Sequence, residues 1–223
     1  MFFFPIGCSI LALFILFFPI FLLLLFLDVV TFGVERLGIS PGVTVALLLA
    51  MLIGSIINIP ISMRTVEYSR YCYFGWFQVP VRQEYGLAIN LGGTIIPTGV
   101  FIYLLFKALL LPTLLATALM IMICKFLTRP VPGRGLAIPM IIPPVLATAF
   151  ALLLGGDFAP QVAYISGVLG TLIGGDLLNL VRALKLGAGI VSIGGAGVFD
   201  GISLVNIFSV VLTAISPPFS IPW

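Results

Sequence analysis

Residues 2–27 read FFFPIGCSILALFILFFPIFLLLLFL, an unbroken apolar run without a single charge. About 20 apolar residues in a helix cross the hydrocarbon core of a bilayer, so this run is long enough to span one. It has no basic start and no small-residue cleavage site, and it is longer than the apolar core of a secretory leader. We read it as a retained anchor.

The rest of the chain has the same character. Of 223 residues, 61% are hydrophobic, 8% charged and 12% aromatic, and the mean hydropathy is +1.32. A soluble domain draws about a quarter of its residues from Asp, Glu, Lys and Arg, so an ordinary water-soluble fold is excluded. There is no histidine. That removes His-based zinc sites, Ser-His-Asp triads and imidazole proton shuttles, and leaves acid–base chemistry to carboxylates. Neither a metal nor a cofactor is expected. Ten Lys and Arg against seven Asp and Glu give a net charge of +3. These cations are scattered through loops without a basic run, which points to lipid headgroups as partners and not to nucleic acid. Cys8, Cys72 and Cys124 lie far apart in sequence and are expected to be free thiols.

Charges, prolines and glycines cut the chain into seven apolar stretches, at about 2–27, 43–59, 87–106, 109–126, 136–154, 160–180 and 189–215. The expected fold is therefore all-α: a single polytopic helical membrane domain over residues 1–223, with Gly- and Pro-interrupted spans. Arg64, Arg70, Arg82, Lys125, Arg129, Arg134, Arg182 and Lys185 then fall on one side and only Arg36 and Lys107 on the other. Short cytoplasmic loops collect Lys and Arg, so the expected topology in the cell membrane has the N-terminus inside and the C-terminus outside. The loop at 61–84 has β-favouring residues on both sides of Phe74 and Gly75, as an interfacial β-hairpin would, and Pro80 confines its returning segment to an edge or bulge. Read otherwise, Tyr68, Tyr71, Tyr73, Phe74, Trp76 and Phe77 form an interfacial aromatic belt.

Two carboxylates fall inside predicted spans: Asp176 in TLIGGDLLNL, and Asp200 in SIGGAGVFDGISL. An aspartate near the centre of a spanning helix costs about 2.5–3.5 kcal/mol on insertion scales, so each is a candidate functional group. The two lie on consecutive antiparallel spans. Counting from the connecting loop leaves a depth mismatch of about 7 Å if both are regular helix. Gly187, Gly189, Gly194, Gly195 and Gly197 make poor helix, and broken backbone is tolerated at membrane depth only where it is buried or lines a cavity. Gly174, Gly175, Gly197, Gly201, Asn90, Asn179 and Asn206 are the expected lining of such a cavity, although interhelical hydrogen bonding is the simpler account of the asparagines. Gly167, Gly170, Thr171 and Gly174 form a smooth ridge that leaves Asp176 facing a different neighbour.

The motifs AINLGGTIIP at 88–97, GTLIGGDLLNL at 170–180 and SIGGAGVFDGI at 192–202 resemble an uncharacterised family of prokaryotic multi-pass membrane proteins, which brings no activity with it. The two aspartates, one in a Gly-Gly-Asp setting, also look like those of the presenilin and signal-peptide-peptidase class of intramembrane aspartyl proteases. Here Asp200 follows Phe199 where that class has tyrosine, the order of the motifs is reversed, and no Pro-Ala-Leu occurs. The likeness implies that Asp176 and Asp200 are a catalytic dyad acting on a transmembrane peptide. Two close carboxylates share one proton: the ionised one would activate water and the protonated one would donate to the peptide carbonyl. Such a substrate must be unwound, and an edge strand could hold it by β-augmentation. Two other readings stay open: a proton- or cation-coupled carrier or channel lined by the same groups, and a non-enzymatic membrane assembly factor. The oligomeric state is not legible.

Overall fold

The computed structural model describes residues 6–72, 77–131, 135–185, 190–195 and 201–216, with side chains at all of these except 6–13, 66–72, 77–85, 130, 135, 185, 201, 203 and 204. Its helices follow the apolar stretches. They are α1 (Ile6–Glu35), α2 (Pro41–Gly54), α3 (Ile96–Leu105), α4 (Leu110–Leu127), α5 (Ile142–Leu154), α6 (Ala159–Leu169), α7 (Leu180–Lys185) and α8 (Gly201–Ile215). A π-helical turn, Leu91–Ile95, opens α3. α6 runs on through a π-helical segment, Gly170–Asp176, and a 3-10 turn, Leu177–Asn179, into α7.

Three helical runs among the described residues are long and apolar enough to cross a membrane: Phe14–Glu35, Leu110–Leu127 and Gly156–Leu184. Four more apolar helices, Pro41–Gly54, Leu91–Leu105, Ile142–Leu154 and Val205–Ile215, are shorter. The outward faces are oily. From Phe14 to Leu25, α1 exposes large apolar side chains almost all round, a surface suited to hydrocarbon and not to water.

The all-α expectation needs correcting, because a sheet is built into the helical frame. Strands β1 (Asn58–Cys72) and β2 (Phe77–Asn90) form a long antiparallel hairpin, and β5 (Ile190–Ile193) adds to β2 in parallel, giving the order β1-β2-β5. A small second hairpin pairs β3 (Arg129–Val131) with β4 (Gly135–Ala137). The main hairpin is longer than the 61–84 loop, and Phe74 and Gly75 lie outside the described residues. It takes over the end of the second predicted span and the start of the third, because alternating apolar strand residues raise hydropathy as helical ones do. Likewise, β4 and β5 occupy residues read as the openings of the fifth and seventh spans. Among the described residues, β2 pairs at Pro80 with β1 alone, since β5 pairs with residues 86–89. A residue with no N–H to donate is tolerated at such an edge.

α6 is the axis of the bundle. Val162, Ala163, Ile165, Ser166 and Val168 are fully buried, and α6 contacts α3, α4, α5 and α8. Ala116, Ala151, Ala159 and Ala163 let α4, α5 and α6 approach closely, which is how helices pack where lipid offers no hydrophobic drive. A second cluster, around Leu37, Leu104, Tyr164, Ile165 and Val210, joins the α1–α2 connection to α3, α6 and α8.

Candidate functional site

The three glycine motifs converge on one place. β2 ends at Asn90, whose side chain turns the chain from strand to helix: Oδ1 accepts the backbone N–H of Gly93 at 2.7 Å, as an N-cap does. Its Nδ2 donates to the Ser55 carbonyl at 2.7 Å and to Asn58 Oδ1 at 3.0 Å, fastening the start of β1 and the end of α2 to the same point. α2 can come this close because Gly92 has no side chain; a methyl there would collide with the Met51 carbonyl and the Ser55 amide.

β5 lies alongside in the register Gly86↔Ile190 to Ile89↔Ile193. Ser192 Oγ donates to Asn58 Oδ1 at 2.6 Å, and Thr94 Oγ1 to the Ile193 carbonyl at 2.8 Å. The next residue, Gly194, has φ +68° and packs on Gly93 and Thr94, a left-handed conformation and a tight fit that both call for glycine. Its N–H donates to Asp176 Oδ2 at 2.8 Å. The loop that follows β5 is thereby tied to the carboxylate on the α6 side.

Asp176 is the last residue of the π-helical segment and is half-buried. π-helical turns widen a helix and recur at functional sites. Two glycines seat this one against α4: a methyl on Gly170 would stand 2.5 Å from Met120 Cβ, and one on Gly174 would run into the Ile121 carbonyl. Gly167, the first residue of the predicted ridge, faces Val205 of α8 instead, so the ridge serves two neighbours. Asn179 is fully buried just beyond Asp176. Its Nδ2 donates to the carbonyls of Gly174 at 3.0 Å, Gly175 at 3.1 Å and Lys125 at 3.3 Å, and its Oδ1 accepts from Arg182 at 3.4 Å. Carbonyls displaced from regular helix bonding thus find a partner.

Asp176, Gly174, Gly175 and Asn179 therefore share one neighbourhood, and Asn90 joins it through the β1-β2-β5 network. Gly201 opens α8. Asp200 and Gly197 lie outside the described residues. Asn206 is elsewhere, buried on α8 beside a cavity whose lining does not include Asp176. Thr94, Ser192 and Gly194 were not singled out by the sequence as site residues. The signal that could have found them is the shared pattern of an apolar strand followed by a glycine pair, in AINLGG and in IVSIGG. Among the described residues no three acidic or cysteine side chains gather.

A family model described as "Protein of unknown function (DUF1614)" matches residues 52–212, from the end of α2 almost to the end of α8. The match covers most of the chain and every described element of this site, and the chain belongs to that family. No curated protein and no solved structure matches it.

Proposed function

We propose that this member of the family is a multi-pass membrane protein that hydrolyses peptide bonds within the bilayer, with Asp176 and Asp200 as paired carboxylates. The observation that carries the reading is the bond from Gly194 to Asp176. Gly194 directly follows β5, and Asp200 comes six residues later in the sequence, so little chain separates the glycine held by the first aspartate from the second. In the reaction, the ionised member of the pair takes a proton from water as its oxygen attacks the scissile carbonyl. The protonated member donates to the carbonyl oxygen.

The substrate is an extended stretch of a transmembrane peptide. β5 supports this, because among the described residues no strand pairs with its outer edge, and the residue that follows it is bonded to Asp176. The seven helical segments cross the membrane in turn, with a cytoplasmic N-terminus and an outward C-terminus, and the β1–β2 hairpin lies at the cytoplasmic interface. The shorter helices complete their crossing with the irregular backbone that flanks them, which is permitted where protein covers it.

The test is a pair of variants, Asp176→Asn and Asp200→Asn, assayed against a reporter transmembrane substrate in liposomes. Each alone abolishes cleavage and leaves the fold intact; cleavage retained by either one ends the proposal. A proton- or cation-coupled carrier is the rival reading, favoured by the half-buried Asp176 on a π-helical segment of a long apolar helical run. Proton or cation flux that is unchanged in both aspartate variants eliminates it.

A further inference from the structure

A groove of about 590 Å³ opens on the bundle between α2 and α3. One wall is Ser40, Val43 and Leu47, the other Tyr103, Val100 and Ile96. Steps of three and four residues keep each set on a single helical face. Both sets begin at the end of the bundle where the α1–α2 connection meets the α3–α4 connection, at Gly38 and Lys107. Seven residues of helix rise about 10 Å, so the groove is a slot of roughly that length running inward from this end along the two helices. Gly99 also lines it, and a methyl added there would meet nothing within 4 Å. Val43 on the wall and Ile102 on α3 are exposed, so the slot opens on an oily surface.

One end of the slot carries a charge. The Lys107 ammonium donates to the Tyr103 hydroxyl, lies 4.3 Å from the centre of that ring, and would stand 3.0 Å from a methyl on Gly38. Tyr103 and Gly38 both line the groove, and the Tyr103 hydroxyl in turn donates to the Gly38 carbonyl at 3.4 Å. A lysine at the end of a membrane helix ordinarily extends its ammonium away from the apolar surface; this one is folded back against the slot. The hydroxyl takes one of its three N–H donors, and among the described residues no carboxylate forms an ion pair with it. An apolar slot that ends in a held, uncompensated cation is complementary to a molecule with a hydrocarbon chain and an anionic head. A neighbouring helix would offer apolar side chains to the slot and nothing to the ammonium.

We propose that the α2–α3 groove binds a phospholipid of the surrounding bilayer whose headgroup carries net negative charge. One acyl chain lies in the slot over Gly99, and the headgroup phosphate accepts from Lys107. The site rests on the multi-pass membrane placement and not on the proteolytic reading.

Photolabelling of the full chain in phosphatidylcholine nanodiscs tests it, with phosphatidylglycerol or phosphatidylcholine probes that carry a diazirine in the acyl chain. Both probes label Phe14–Leu25 of α1 alike, which reports that the chain is embedded, independently of the groove. At Leu47 and Val100 the phosphatidylglycerol probe labels several-fold more than the phosphatidylcholine probe. Lys107→Gln, at an exposed position, brings the two probes to parity there. Gly99→Leu fills the slot with a better helix former and lowers groove labelling several-fold for both probes, with α1 unchanged. Parity of the two probes at the groove in the parent chain, or a preference that survives Lys107→Gln, overturns the proposal, as does groove labelling undiminished in Gly99→Leu.

Discussion

The backbone N–H of Gly194 donates to Asp176 Oδ2 across 2.8 Å, joining the end of a sheet strand to the end of a π-helical turn. The carboxylate is therefore oriented by a residue whose own position depends on the parallel pairing of β5 with β2 and on the Thr94 bond to Ile193. Sheet, loop and carboxylate form one mechanical unit.

Gly194→Ala tests that unit at its tightest point. The left-handed backbone costs a non-glycine residue roughly 1–2 kcal/mol, and the added methyl would also run into the Thr94 hydroxyl and stand 2.9 Å from the Gly93 carbonyl carbon. Thermal unfolding in detergent should show a clear drop in midpoint, with reporter cleavage lost in parallel. An unchanged midpoint would contradict the described turn.

Asp176→Asn separates orientation from chemistry. An amide oxygen can still accept from Gly194, so the fold should survive, while the general acid–base contribution, on the order of 10²–10⁴-fold, disappears. Amide hydrogen exchange at Gly194 checks the first half and the cleavage rate the second.

Two glycines predict opposite outcomes. Gly174→Ala forces a methyl against the Ile121 carbonyl, and overpacking of this kind costs about 1–3 kcal/mol. Gly99→Ala places its methyl in open space on α3, where replacing glycine in a helix gains about 0.5–1 kcal/mol. Unfolding in mixed micelles should rank the two on either side of the parent.

Asn90 is expected to split its role between its two side-chain atoms. Asn90→Asp keeps the acceptor for Gly93 and loses the donor to Ser55 and Asn58; Asn90→Ala loses both. Loss of the cap costs about 0.5–2 kcal/mol, but the aspartate turns a buried carboxylate oxygen toward the Ser55 carbonyl and Asn58 Oδ1, and an unpaired buried charge costs more, so the aspartate variant should be the less stable in a chemical unfolding series at neutral pH. An aspartate variant more stable than the alanine one would contradict the described partners of Nδ2.

How much of this could be read from the residues follows the physics of each signal. Helices lie where apolar runs lie, because hydropathy over many residues reports burial in hydrocarbon or core. The hairpin's two strands were legible from their β-favouring residues, but their length was not: the apolar residues of Asn58–Met63 and Leu87–Asn90 have the composition of span ends. β5 was unreadable as a strand. IVSI is four residues long, its glycine-rich flanks suggest broken helix, and its partner lies more than a hundred residues earlier, where no local pattern can announce it. Asp176 was legible because hydrocarbon makes a carboxylate conspicuous. Gly194 was not, because a turn glycine among so many glycines carries no mark.

The parallel union of β2 with β5 has a consequence in time. A growing chain completes its two-stranded ribbon early, yet the third strand emerges only after α3, α4, α5, α6 and α7, and contacts between distant parts of a chain are slow to form. The bond from Gly194 to the carboxylate therefore arrives among the last events of biogenesis, and a chain whose insertion stalls before β5 holds Asp176 without it.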